Sequence, residues 1–130
     1  MKTKMGETDR NRPQELTKAE LEIMQVIWKK GKVLVHGILD DLPEPKPAYN
    51  TVSTIVRILE NKGFVSHKAY GRTYEYFPVV AKEEYTNTYM RTVLDNFFEG
   101  SVSRMVNFFS AQKSISLEET DEILKILKGE

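Results

Sequence analysis

AYNTVSTIVRILENKGFVSHKAYGRTYEYFP, residues 48–78, has the pattern of a helix, a glycine stop and a two-stranded hairpin. Four apolar side chains recur at the i, i+3, i+4, i+7 spacing of a helix that packs on a core. They are Val52, Ile55, Val56 and Leu59. The rest of the chain is interpreted as support for this stretch.

The opposite face of the same helix is polar and carries no acid. Its members are one arginine, two amides and two small hydroxyls: Asn50, Ser53, Thr54, Arg57 and Asn61. A helix that enters a DNA major groove needs short donors and acceptors near its N-terminus, with arginine for guanine or phosphate. An ordinary solvated helix face is also polar, so the neighbouring elements must decide between the two interpretations.

A hairpin after the helix favours the DNA-binding interpretation. Gly63 is placed to end the helix, and Phe64–Lys68 and Arg72–Phe77 are predicted strands joined by a loop that contains Gly71. A recognition helix followed by a basic hairpin is the winged-helix arrangement, in which the hairpin contacts phosphates or the minor groove. The predicted DNA-binding residues are Lys46, Tyr49, Asn50, Thr51, Ser53, Thr54, Arg57, His67, Lys68 and Arg72.

Charge is distributed unevenly along a chain whose net charge is zero. Residues 1–78 contain 13 Lys and Arg against 10 Asp and Glu, whereas residues 79–130 contain 6 against 9. This asymmetry indicates a nucleic-acid partner for the first part of the chain only.

Composition excludes several function classes. The chain has no cysteine, so disulfides, thiolate metal sites and cysteine nucleophiles are excluded. It has two histidines and no glycine motif that would cradle a phosphate, so we predict no catalytic residues, no metal and no cofactor. Without a long apolar run or a signal-peptide pattern, we expect no membrane insertion and a cytoplasmic protein.

The first part of the chain is predicted to contain an arm and one domain. Residues 1–15 are polar and lack periodicity, which predicts a disordered arm, and residues 16–80 are predicted to form the winged-helix domain. Thr17 and Glu20 form a capping box for a helix that Gly31 ends. The segment 33–35 is predicted as a short strand and 36–42 as a short helix, followed by a turn that Pro43, Pro45 and Pro47 stiffen.

Residues 81–130 are predicted to form a helical dimerisation region. The predicted helices span 82–99, 101–112 and 117–128, and a segment of this size is too small to bury its apolar side chains alone. A symmetric dimer would cover them, whereas packing on the winged helix is the alternative. The predicted dimerisation residues are Tyr85, Tyr89, Val93, Phe97, Phe98, Val102, Met105, Val106, Phe109, Leu124 and Leu127.

Three segments of the chain resemble the bacterial penicillinase-repressor family, which includes methicillin-resistance and copper-responsive repressors. They are LTKAELEIMQVIWKKG, YNTVSTIVRILENKGFV and GRTYEYFPVVAKEEY, and the resemblance covers residues 16–128. Its most specific features are Asn50-Thr51-Val52, Leu59, Lys62-Gly63 and Gly71-Arg72. The resemblance implies a homodimeric winged-helix repressor that occupies a palindromic operator on double-stranded DNA.

The resemblance also implies a mode of release. In antibiotic-responsive members, a membrane-bound metalloprotease sensor triggers cleavage of an Asn-Phe bond in the dimerisation region. Asn107-Phe108 resembles that bond. The copper-responsive members carry a cysteine cluster that this chain lacks, which favours the protease-released branch. The alternative function is a winged helix that contacts another protein and does not bind DNA.

Overall fold

The computed structural model describes residues 15–113 and 115–129. In chain order the elements are α1 (Lys18–Lys30), α2 (Val35–Asp41), α3 (Tyr49–Asn61), β1 (Val65–Tyr70), β2 (Thr73–Pro78), α4 (Lys82–Phe97), α5 (Val102–Ala111) and α6 (Leu117–Lys128). The predicted fold class, mainly α with a small hairpin wing, is confirmed. The predicted arm lies outside the described residues except for Glu15.

Helix α1 begins and ends where its sequence signals predict. The Glu20 amide donates to the Thr17 hydroxyl over 3.2 Å, and the Thr17 amide donates to the Glu20 carboxylate over 2.9 Å. These two bonds satisfy donors that every helix start leaves without a partner inside the helix. The far end of the helix stops at Gly31.

The segment after α1 corrects one prediction. Residues 33–35 do not form a strand, since only Val33 pairs with the hairpin, exchanging backbone bonds of 2.9 and 2.8 Å with Tyr76. The carbonyl of Leu34 already accepts the amide of Ile38, so the chain turns into α2 at Val35. The helical bond therefore replaces further strand pairing.

The turn of the hairpin is tighter than predicted, because β1 continues two residues beyond its predicted end and β2 begins one residue later. Tyr70 pairs with Thr73, which leaves Gly71 and Arg72 as a two-residue turn. Gly71 has a φ of 65°, the left-handed value that a two-residue turn of this kind requires at its first position. The turn therefore projects Arg72 at the tip of the wing.

One apolar core joins the three helices of the winged helix. Helix α3 contributes Val52, Val56 and Leu59, each with 0% of its surface exposed. They pack with buried side chains of α1 and α2, namely Ile23, Met24, Ile27 and Ile38. The predicted apolar stripe of α3 is thus the inner face, apart from Ile55, which is only partly buried.

The chain divides into two compact units between Asn87 and Thr88, so the first turn of α4 belongs to the first unit. Tyr85 lies in this turn, with its ring centroid 6.0 Å from that of Trp28 and 5.7 Å from that of Phe64. Its hydroxyl accepts the amide of Leu16 over 2.9 Å. Tyr85, a predicted dimerisation residue, therefore packs in the single chain on the aromatic surface that Trp28 and Phe64 supply on the winged-helix core.

The second unit, residues 88–130, leaves most of its apolar side chains uncovered. Among its described residues only Leu94 is buried. The exposed large side chains are Met90, Phe97, Val102, Phe108, Phe109, Leu117, Leu124 and Ile126. The side chain of Leu127, a predicted dimerisation residue, lies outside the described part of the chain.

Candidate nucleic-acid interface

Helix α3 presents a polar outer face to solvent. Asn50, Thr51, Thr54 and Arg57 are exposed and Ser53 is half-buried. No acid lies among them, and the first turn of α3 contains none. Because the opposite side chains are fully buried, this face is held outward by the core.

An ion pair anchors the end of α3 to the start of α1. The Lys62 ammonium donates to both carboxylate oxygens of Glu20, over 3.0 and 2.9 Å. Burial raises the pKa of the Glu20 carboxyl, but the hydrogen bond from the Thr17 amide and the Lys62 ammonium outweigh it and leave that pKa below its ordinary value. Glu20 therefore serves two helices at once, since it also closes the capping box of α1.

Lys46 has a structural partner that sequence reasoning missed. Its ammonium donates to the carbonyls of Leu39, Asp40 and Leu42 over 3.1, 2.9 and 2.7 Å. These are carbonyls at the end of α2, where a helix leaves acceptors without partners and favours a cation. A phosphate, the predicted partner of Lys46, would have to compete with three carbonyls that the ammonium already satisfies.

The two faces of the wing differ in what they contact. His67 pairs with Tyr76 across the strands, and this face turns toward α3. Its Nδ1 lies 2.8 Å from the Glu60 carboxylate, and its ring stacks on Tyr74 with centroids 4.2 Å apart. The predicted phosphate contact by His67 is thus not supported by its position, because the imidazole joins the wing to α3 and is half-buried.

Lys68 and Arg72 have the exposed positions that a phosphate contact needs. Lys68 pairs with Glu75 on the other face of the wing, and its ammonium lies 5.4 Å from the centroid of the Tyr70 ring. Arg72 occupies the turn. The wing therefore offers one cation on this face and one at its tip, both exposed to solvent.

Three residues of this surface were absent from the predicted set. His36, on α2, is exposed and stacks near Tyr49, with ring centroids 4.6 Å apart. Ile58 and Tyr70 are exposed large side chains beside the polar face and on the wing. A helical wheel could have identified Ile58, which falls outside the apolar arc, but no local pattern places His36 beside Tyr49.

Tyr76 of β2 lies buried near Arg57 and Glu60 of α3. Its ring is 4% exposed. Burial and the nearby Glu60 carboxylate raise the pKa of its phenol, while Arg57 opposes them. The Glu60 carboxylate, at the edge of the polar face of α3, thus contacts the His67 imidazole and lies close enough to Tyr76 to affect its phenol.

Apart from Tyr85, the predicted dimerisation residues lie in the second unit, and all of these are on its helices except Phe98, which directly follows α4. Phe97 is 74% exposed, whereas Tyr89, Val93, Phe98, Met105 and Val106 are half-buried. Phe98 packs edge-on against Phe108 with ring centroids 5.7 Å apart. Asn107 and Phe108 are exposed on α5, and Phe108 keeps 50% of its surface in solvent.

Residues 15–113 and 115–129 contain no group of three or more His, Asp or Glu that could hold a metal ion. Within the same described part of the chain, no helix is long and apolar enough to cross a membrane.

Comparison with known proteins gives consistent matches. A family model described as penicillinase repressor matches residues 16–129. The chain is 29% identical over 115 residues to a penicillinase repressor of Bacillus licheniformis, covering 88% of this chain and 90% of that protein. It is 24% identical over 118 residues to the methicillin resistance regulatory protein MecI of Staphylococcus aureus, covering 90% and 96%. A solution structure of the DNA-binding domain of the repressor BlaI is 31% identical and covers 56% of this chain and 89% of that chain, with a TM-score of 0.49.

Proposed function

The chain belongs to the penicillinase repressor family, a family of transcriptional repressors and not of enzymes, and from this premise we propose that it represses transcription as a homodimer on a palindromic DNA operator. Its action would take place where the DNA is, in the cytoplasm. The observation that carries the proposal is the acid-free outer face of α3, which a fully buried inner face and the Lys62–Glu20 pair hold in one orientation.

Base recognition is assigned to α3. Arg57 can form a bidentate contact with guanine, and Asn50 can do so with adenine. Ser53 and Thr54 can contact either kind of base, since a hydroxyl both donates and accepts. Lys68 and Arg72 on the wing would contact phosphates, which sets the position of the protein on the duplex without reading its sequence.

Dimerisation is assigned to the second unit, where large apolar side chains remain exposed in the single chain. A self-complementary apolar patch covers both copies at once in a symmetric dimer. Two linked recognition helices bind with avidity because the second binds at a high local concentration. Half-sites about one or two helical turns apart would match such a dimer.

Binding to a labelled fragment from the promoter of the protein's own gene tests this proposal. Fluorescence anisotropy at increasing salt should show the affinity falling steeply, with a slope of about −0.9 for each phosphate contacted. An unrelated duplex of equal length is the control. A protein that does not prefer the promoter fragment, or whose binding does not respond to salt, would show that this surface has another partner, such as a protein.

Release is assigned to proteolysis between Asn107 and Phe108, triggered by a membrane-bound metalloprotease sensor. The exposure of both residues on α5 supports access by a protease. Besides the exposed Phe108 itself, the cut removes Phe109, Leu117, Ile123, Leu124, Ile126 and Leu127. Each such side chain contributes about 1.5 to 3 kcal/mol when buried, so their joint loss exceeds the roughly 8 kcal/mol that hold a micromolar dimer.

A chain that ends at Asn107 tests the energetic part of this idea without a protease. Sedimentation should show a monomer at micromolar concentration, and the affinity for the promoter fragment should fall although every proposed DNA contact remains. If the shortened chain still dimerises and binds as the full chain does, cleavage at this bond is not the switch.

A further inference from the structure

A cavity of about 320 Å³ lies between the wing, α3 and the start of α2. We call it the notch. Its polar lining includes His36, Tyr49, Ser53, Arg72, Thr73 and Tyr74. None of these side chains is an acid, and every one can donate a hydrogen bond.

A second cavity of the first unit provides a comparison. It has a similar volume of about 310 Å³ but is lined by Glu22 and Glu44 together with apolar and proline side chains. The two cavities therefore differ in charge rather than in size. The notch, with one guanidinium and no carboxylate, suits an anion, and the other cavity does not.

We propose that the notch seats one backbone phosphate of the bound DNA, with the Arg72 guanidinium, the Tyr49 hydroxyl and the His36 imidazole as its donors. This inference rests on the proposed function and adds to it a position for the sugar–phosphate strand. When α3 lies in the major groove and the wing lies beside it, the strand that borders the groove runs along the seam between them. The notch lies at this boundary between α3 and the wing.

The packing of the donors supports this assignment. The rings of His36 on α2 and Tyr49 on α3 lie 4.6 Å apart, and both residues line the notch. Arg72 arrives from the wing, whose distance from α3 is set by the contact of His67 with Glu60. Donors from three separate elements thus converge on one place, which is what a site for an anion requires.

Ethylation interference on the promoter fragment tests the inference, because ethylation neutralises one phosphate at a time and can be read without knowing which bases form the operator. The full chain should fail to bind DNA ethylated at a small set of phosphates. With His36→Ala and with Tyr49→Phe, the interference at one phosphate in each half-site should disappear while the others remain. Both variants should bind unmodified DNA about tenfold more weakly per half-site, or about a hundredfold for the dimer, because each half-site loses one hydrogen bond to a charged group.

Two further variants sharpen the result. Arg72→Ala should lose interference at the same phosphate and also lower the salt slope by about one for each half-site, because it removes a charge from each protomer. Lys29→Ala removes a charge from an exposed position on α1 and should leave the interference pattern unchanged. Thermal melts should be alike, since His36, Tyr49 and Arg72 are exposed.

Two outcomes overturn the inference. If the His36 and Tyr49 variants give the same interference pattern as the full chain, the notch is empty in the complex, while the proposed function stands. The notch is also excluded as a phosphate site if the His36 and Tyr49 variants weaken the interference equally at all phosphates. If the unaltered protein shows no binding to promoter DNA at all, the proposed function fails together with the notch.

Discussion

Glu20 is a single residue on which two elements depend. Its carboxylate closes the capping box of α1 and accepts two hydrogen bonds from Lys62 at the end of α3. Only 6% of its surface is exposed, so water cannot replace these partners. The orientation of α3 therefore depends on a charge that lies outside its polar outer face.

Replacing Glu20 by Gln should lower the free energy of unfolding at neutral pH by about 1 to 2 kcal/mol, because hydrogen bonds to a charged group are stronger than neutral ones. The amide keeps an acceptor for the Thr17 amide but loses the ionic attraction to Lys62. Urea unfolding measures the change. Glu22→Gln, at an exposed position on the same helix, is the matched control and should have no comparable effect.

The same residue predicts a dependence on pH. The pKa of Glu20 is lowered from its ordinary value of 4.5, so its stabilisation is complete above pH 4.5 and is lost as pH falls through the lowered value. The difference between the unaltered protein and the Gln variant should therefore be constant near neutral pH and shrink in acid. A difference that grows in acid would contradict the assigned cause of the shift.

Arg57 should contribute to sequence preference as well as to affinity. Arg57→Ala should weaken binding to the promoter fragment by about 1 to 3 kcal/mol and reduce its advantage over an unrelated duplex, if the side chain forms a bidentate contact with a base. Arg57→Lys keeps the positive charge but not the paired N–H donors of the guanidinium. This variant should therefore retain the salt slope and lose the preference for the promoter fragment over the unrelated duplex. Equal losses on both duplexes would assign Arg57 to phosphate contact instead.

At the scale of elements, the wing depends on one backbone conformation. Gly71 and Arg72 form the whole turn between β1 and β2, and the positive φ of Gly71 is one that side chains disfavour. The tip of the wing therefore has a defined shape. The position of Arg72 follows from that shape and not from packing, since both residues are exposed.

Gly71→Ala should destabilise the protein by about 1 to 2 kcal/mol through backbone strain and should also weaken DNA binding, because the turn must change shape and displace Arg72. Gly31→Ala is a closely matched control. Gly31 has a φ of 80°, and no atom lies within 4 Å of an added Cβ at either position. Thermal unfolding should show similar losses for both variants, whereas anisotropy should show weaker DNA binding only for the Gly71 variant.

At the scale of the whole molecule, Phe97 provides a test of the proposed dimer. Its side chain is 74% exposed in the single chain, so a charge placed there costs the isolated helix little. In an apolar interface the same charge would have to be buried without a partner. Phe97→Asp should therefore give a monomer at micromolar concentration with unchanged helix content and weaker promoter binding.

Asn96→Asp introduces the same residue at the neighbouring exposed position and should remain dimeric. Sedimentation velocity and circular dichroism measure the two properties separately. A dimeric Phe97→Asp variant would place the interface on another face of the second unit.

Apart from the strand predicted at 33–35, the sequence by itself determined the elements of this protein and the two faces of α3. The signals that set the helices and turns are local. They are helix periodicity, the Thr17–Glu20 capping box and the glycines at 31, 63 and 71. Each depends on residues a few positions apart, so the sequence is enough to predict its effect. The inner residues Val52, Val56 and Leu59 and the exposed outer face followed from spacing alone.

The tertiary structure decided which of the polar and aromatic residues are available for function. Lys46 is occupied by carbonyls of α2, His67 by Glu60 of α3, and Tyr85 by the amide of Leu16, which lies 69 residues away. The residue type at each of these positions is equally compatible with exposure to solvent, contact with DNA or contact with a partner chain. The partners of Lys46 and His67 lie only 4 to 7 residues back along the chain, and that of Tyr85 lies across the fold. In each case the packing of the core fixes how the chain turns, and residue type alone does not show which contact results.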